Sequence, residues 1–290
     1  MSAVARAIVE PGFFENGPVQ IALAVSAVVS LVVSALGVIT VIRGQAFAGH
    51  SLADIGAAGG SGALLVGVGP LWGFFLLALA GAGAMELVGA DRRRSRDLAT
   101  GIVLGAGLGL AALFLYLDSR LANASGATST ILFGSIFAIS SATIPVVIAV
   151  GAAALTLIAA IYRPLLLSSL SRDLAAARGV RVRLVGGLYL AALAAAVALS
   201  CLATGAILST ALLIGPAAGA LRLTRRPGMA VIVSAAIAIA SSCVGVLLAY
   251  DSYYWPPAGH GWPASFFIVV LTVLAYLAAS AFASRTRRAA

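Results

Sequence analysis

Residues 19–43 read VQIALAVSAVVSLVVSALGVITVIR, an uncharged run from Val19 to Ile42 closed by Arg43. An α-helix rises about 1.5 Å per residue, so about 20 apolar residues cross the hydrocarbon core of a bilayer. This run is long enough. Working outward, the pattern repeats. Apolar stretches lie at about Ala46–Val68, Leu71–Ala90, Leu98–Leu117, Ile144–Tyr162, Leu184–Leu221, Met229–Tyr250 and Pro263–Ala283. Short breaks between them are rich in arginine, glycine and proline. The Leu184–Leu221 stretch is long enough for two spans, with Thr204-Gly205 as the expected turn. The reading is an all-α, polytopic transmembrane helical bundle of about nine spans, with residues 1–290 as one domain.

Composition agrees. The chain is 62% hydrophobic and only 9% charged, with a mean hydropathy of +1.10. Soluble domains carry roughly 25% charged residues. The net charge is +9, and every one of the 18 basic residues is arginine. These arginines fall in the breaks, not on one solvated face, so a nucleic-acid partner is not expected. With nine spans, Arg43, Arg92–Arg96, Arg163–Arg183, Arg222/Arg225/Arg226 and the C-terminal arginines share one side. Only Arg6 and Arg120 fall opposite. The positive-inside rule makes the crowded side cytoplasmic, with the N-terminus outside and the C-terminus in the cytoplasm. No cleaved signal peptide is expected.

Lysine is absent, so the G-x-x-x-x-G-K-[ST] loop that grips nucleotide phosphates is absent too. Any ATP that drives this chain is hydrolysed by a partner. Cys201 and Cys243 lie inside apolar stretches and read as core thiols. Gly56/Gly60 and Gly101/Gly105/Gly109 repeat every four residues, a spacing that lets helix backbones approach. Asn123-Ala124-Ser125 matches a glycosylation acceptor only weakly, and Gly105–Gly109 follows no strand and is no nucleotide fingerprint.

The residues that carry chemistry are few. His50 and Asp54 stand four apart on the second span, so a helix puts both on one face. An ionisable group inside a span costs roughly 2.5–3.5 kcal/mol even on lenient scales. An imidazole with a carboxylate suits zinc, manganese or iron as a transient ligand pair. The alternative is a structural hydrogen bond between the two. Glu86, at the cytoplasmic end of the third span, is expected to snorkel or pair with an arginine. Asp251 and His260, in the aromatic loop before the last span, are candidates for an outer-loop contact or simply members of an interfacial belt. Ser171–Gly179, within the cytoplasmic segment of about 163–183, reads as a short helix stopped by glycine. It is either a connector or a dock for a partner ATPase.

Four stretches resemble the zinc/manganese permease family of ABC importers: Val41–Asp54, Asp97–Ile102, Asp173–Gly179 and Gly205–Ala218. The likeness runs from about Val19 to Phe282. It implies a homodimer of permeases in the cell membrane, a cytoplasmic ATP-binding subunit and an extracytoplasmic solute-binding protein. It implies no permanently bound cofactor, a divalent ion as cargo, and no enzyme activity in this chain. It further implies that Arg172, Asp173, Ala175, Ala176, Arg178 and Gly179 form the coupling helix, and that the second-span aspartate and histidine guide the metal. Here their order is exchanged: His50 stands where the family has aspartate, and Asp54 where it has histidine. A permease for haem or a metal chelate, and an ATP-independent secondary transporter, are the other readings.

Overall fold

The structure, a computed structural model, describes residues 13–89, 93–121, 126–255, 259 and 261–289. Arg6, Glu10, the Asn123–Ser125 motif and His260 fall outside them. Among the described residues eleven α-helices follow one another: α1 (Gly17–Ile42), α2 (Ala46–Leu65), α3 (Pro70–Val88), α4 (Arg93–Leu121), α5 (Ala127–Phe133), α6 (Ile144–Leu170), α7 (Arg172–Ala177), α8 (Val182–Thr204), α9 (Ala206–Leu223), α10 (Pro227–Ser252) and α11 (Ala264–Ala289). No strand occurs among the described residues. Eight of the helices are long and apolar enough to cross a membrane. α2 is as long, at 20 residues, but its glycine, serine, His50 and Asp54 make it less apolar than the rest.

Proline sits in the first turn of α1, α3, α6 and α10, where its missing N–H has no intrahelical partner to lose. α8 is the centre of the bundle. Its residues from Ala192 to Cys201 are all buried, as expected of a helix that is apolar on every side. α8 touches α1, α2, α3, α6 and α9. On one flank α2 is clasped by α3 and α4; on the other, α1, α9, α10 and α11 pack together.

The long Leu184–Leu221 stretch is two helices. Gly205 separates them with φ of +79°, a conformation that favours glycine. The backbone of α5's end fits against this turn: a Cβ at Gly134 would lie 2.6 Å from the Gly205 nitrogen, and one at Gly205 would strike the Leu132 carbonyl. Direction reverses at each turn, so the ends carrying Arg43, Arg172, Arg222 and Arg226 gather at one end of the bundle. Val38 of α1 clusters there with Ala217 and Ala220 of α9 and Ala230 of α10. Arg120 and the aromatic loop after α10 lie at the other end.

Two expectations are corrected. The fourth span does not stop at Leu117: α4 continues to Leu121, and Asp118 is fully buried in it, not part of a polar loop. The Gly101/Gly105/Gly109 face of α4 makes no close contact within the chain, since a Cβ at any of the three would meet nothing within 4 Å. The close approach is made one face round, at Gly107. A Cβ there would lie 2.6 Å from the Ile55 nitrogen and 2.9 Å from the Asp54 carbonyl carbon. Gly60 and Gly56 behave as expected, seating α2 on Phe74 of α3. Overpacking of this kind costs about 1–3 kcal/mol. Gly107→Ala is therefore expected to lower the unfolding temperature of the detergent-solubilised chain, and Gly105→Ala to leave it unchanged.

Candidate functional site

α2 begins directly after the turn Arg43-Gly44-Gln45, where Gly44 takes φ of +66°. His50 lies on the second turn of the helix and Asp54 on the third. Nε2 of His50 stands 3.6 Å from Oδ2 of Asp54, beyond hydrogen-bond length. The His50 side chain is 43% exposed and that of Asp54 10%. Asp54 Oδ2 has no hydrogen-bond partner among the described residues.

The other ring nitrogen is held. His50 Nδ1 is 3.1 Å from the Thr210 hydroxyl of α9. With Nδ1–H donating to Thr210, Nε2 keeps its lone pair and points it at a carboxylate oxygen. In that tautomer two electron-rich atoms face each other across a half-exposed seam, an arrangement that a cation between them would satisfy. Bonds of about 2.1 Å from one ion would set two tetrahedral ligands about 3.4 Å apart, close to the observed separation. Among the described residues no third histidine, cysteine, aspartate or glutamate joins the pair. The arrangement supplies two donors of the types that suit a divalent ion.

Thr210 had no role in the sequence reading. It is 160 residues from His50, and only the resemblance of Gly205–Ala218 marked its neighbourhood. Asp118 was also missed as a membrane-buried carboxylate. It receives a 2.5 Å hydrogen bond from the Ser61 hydroxyl of α2, while its other oxygen has no hydrogen-bond partner among the described residues.

At the arginine-rich end, α7 is built to stand by itself. The Ser171 side chain accepts from the Leu174 N–H at 3.2 Å, and Asp173 lies in the first turn, where a negative charge complements the helix dipole. Val180 N–H returns to the Ala175 carbonyl and Gly179 N–H to that of Ala176, a glycine-terminated stop with Gly179 at φ of +77°. Ala175 is fully buried and anchors the helix. Asp173, Leu174, Ala176, Arg178 and Gly179 are exposed. Glu86 faces inward, 3.2 Å from where a Cβ on Gly186 would be, and shares a small cavity with Arg43 and Thr100.

At the opposite end Asp251 is buried, 8% exposed, so it lies inside the loop's base and not on its rim. Beyond it in the chain Trp255, Trp262, Phe266 and Phe267 form an aromatic cluster, and the Trp262 backbone N–H donates to the Ser252 hydroxyl at 2.8 Å.

These features define a multi-pass membrane protein with a polar helix, α2, packed inside its bundle. The chain belongs to the ABC 3 transport family, which it matches over residues 17–283. It is 30% identical over 254 residues to a probable metal transport system membrane protein of Treponema pallidum, covering 87% of this chain and 92% of that one. It is 28% identical over 240 residues to the manganese transport system membrane protein MntC of Listeria innocua, covering 82% and 84%. The structure superposes on a chain of PsaBC from Streptococcus pneumoniae with a TM-score of 0.78 at 25% identity, covering 92% of each.

Ser61→Ala would strip the buried Asp118 carboxyl of its donor, at a cost of about 1–3 kcal/mol. Replacing both, as Ser61→Ala with Asp118→Leu, is expected to recover most of the lost thermal stability. The melting curves of the single and double variants check this.

Proposed function

We propose that this chain is the membrane-spanning subunit of an ABC importer for a divalent metal ion, manganese or zinc, with iron as a further candidate. The observation that carries the reading is the His50–Asp54 pair: an imidazole nitrogen and a carboxylate oxygen without a hydrogen-bond partner, 3.6 Å apart. The family, and relatives named for manganese and metal transport, support a metal ion as the cargo.

The remaining pieces follow from the same reading. The arginine-rich end is cytoplasmic, and all nine long helices, α2 included, span the membrane. α7 presents Asp173, Leu174, Ala176 and Arg178 to a partner ATPase, with Arg172 at its base. The aromatic end, with Asp251 at its base and His260 in its loop, faces an extracytoplasmic binding protein. Two copies of the chain pair across the membrane. The half-exposed imidazole of His50 faces the route, and water with the second copy supplies the further ligands. ATP binding and hydrolysis in the partners switch access from one side to the other. No bond is made or broken in this chain.

The exchanged order of the two ligands preserves the donor types on one helix face. Thr210 suits either order, since its hydroxyl can also donate to a carboxylate at position 50. With the complete transporter in liposomes, His50→Ala and Asp54→Asn are each expected to lower manganese uptake more than about tenfold. Thr210→Val, which removes the partner of Nδ1, should raise the half-saturating ion concentration about tenfold. The double exchange His50→Asp with Asp54→His should transport within a few-fold of the parent. Uptake of every divalent ion left unchanged by all four variants defeats the proposal. Uptake of a chelate alone would redirect it to that cargo.

A further inference from the structure

Arg43 is the most heavily engaged side chain at the arginine-rich end, and the His50–Asp54 site does not use it. It occupies the turn between α1 and α2. Its Nε–H donates to the Gln45 side chain at 3.0 Å. One terminal nitrogen, Nη1, donates to the Leu165 carbonyl at 3.3 Å, the Ser168 hydroxyl at 3.2 Å and the Ser169 hydroxyl at 2.9 Å. The guanidinium carbon lies 4.8 Å from the centroid of the Tyr189 ring on α8. Tyr189 is fully buried, and its hydroxyl meets Thr40 of α1 at 2.9 Å. Burial pushes the Arg43 guanidinium below its ordinary pKa; Tyr189 and Glu86 oppose this, and Arg172 adds to it.

The segment that Arg43 grips follows a proline. Pro164 stands inside α6, where it removes one backbone hydrogen bond. Leu165, Ser168 and Ser169 all lie just beyond it. Ser171 then ends α6 and caps α7 in one residue, so the last turns of α6 and the whole of α7 are joined without slack. Between this unit and the start of α2 lies a polar cavity of about 350 Å³, lined by Arg43, Gln45, Phe47, Thr100, Ser168 and Arg172 among others. The guanidinium reaches across where close packing does not. On its far side the backbone runs only two residues, Gly44 and Gln45, before α2 begins, and His50 follows on its second turn.

We infer that Arg43 is a positioning residue for coupling: it transmits displacement of α7, pivoting at Pro164, to α2 and so to the His50–Asp54 pair. This rests on the reading of the chain as a permease driven by an ATPase docked at α7. Each part has a distinct physical duty. The three α6 acceptors fix the direction of the pull. The Tyr189 ring gives the guanidinium a face to slide on without losing its cation–π contact. The cavity leaves room for the movement. A lysine, with one compact ammonium, cannot hold the Gln45 side chain and the α6 turn at once.

The test uses the complete transporter, with its ATPase and binding protein, in liposomes. Manganese taken up and phosphate released are measured in the same vesicles, and their ratio is the readout. In Arg43→Gln, and in Ser168→Ala with Ser169→Ala, ions moved per ATP should fall about fivefold or more, in the range of a lost coupling free energy. Arg43→Lys should fall between these and the parent. A purely structural role would lower uptake and hydrolysis together and leave the ratio unchanged. If Arg43→Gln does not assemble, the serine double variant decides, because it leaves the arginine and its stacking in place. A ratio within twofold of the parent in the serine double variant overturns the inference while leaving metal import standing. No manganese, zinc or iron uptake by the parent transporter overturns both.

Discussion

A helix that carries an imidazole and a carboxylate within a bundle of membrane-spanning helices cannot face lipid, and that constraint shapes the rest of this bundle. In hydrocarbon no water satisfies a polar side chain, so the protein must. α2 holds His50, Ser51, Asp54 and Ser61, and its residues from Leu52 to Ser61 are all buried. Wrapping it so completely requires neighbours at backbone distance. A Cβ at Gly59 would strike the Gly73 carbonyl of α3, and one at Gly73 would strike that of Gly59. On the other side Gly107 of α4 lies on the Asp54–Ile55 peptide itself. The glycines that make α2 less apolar than the other spans are the same feature that lets α3 and α4 close over it.

Buried polar groups elsewhere show what distinguishes the site. Ser26, Thr40 and Thr272 return their hydroxyl protons to carbonyls three or four residues back. Ser30 and Ser242 satisfy each other across α1 and α10 at 2.7 Å. Such hydroxyls settle their own bonds and help helices adhere. Asp54 Oδ2 and Asp118 Oδ1 are different: each is a buried carboxylate oxygen with no hydrogen-bond partner among the described residues, and Asp54 also stands beside an imidazole. A structural His–Asp bond would place its atoms near 2.8 Å; these stand at 3.6 Å.

Much of the fold was legible because spans announce themselves by length, and because arginine positions demanded a break inside Leu184–Leu221. Thr204-Gly205 was the place, and Gly205's positive φ is the reason. The pairing of His50 with Asp54 was legible because helical spacing is local. What could not be read was whatever depends on the angle between helices. The glycine repeat on α4 predicted a close face, but spacing alone does not say whether Gly105 or Gly107 is turned to α2. Asp118 read as a loop residue because it follows Leu117 and precedes a polar stretch. Only the position of Ser61 across the α2–α4 seam shows why the helix continues past it. Thr210 and Tyr189 owe their roles to contacts over 160 and 149 residues respectively, and no local pattern encodes those.

On the proposed reading of His50 and Asp54 as ligands, their place on one helix, a single turn apart, has a consequence for release. No tilt of α2 can separate His50 from Asp54, since the helix carries them together. An importer built this way must change affinity through something that α2 does not own. Thr210 is such a group. It sits on α9, and where the ring carries its proton at Nδ1 the Thr210 hydroxyl accepts it and raises the electron density that His50 would offer at Nε2. On that reading, motion of α2 past α9 would break the bond and weaken the histidine as a ligand while the pair itself stayed intact. The ion would then leave because a supporting oxygen had moved, with the two side chains that held it still in place for the next one.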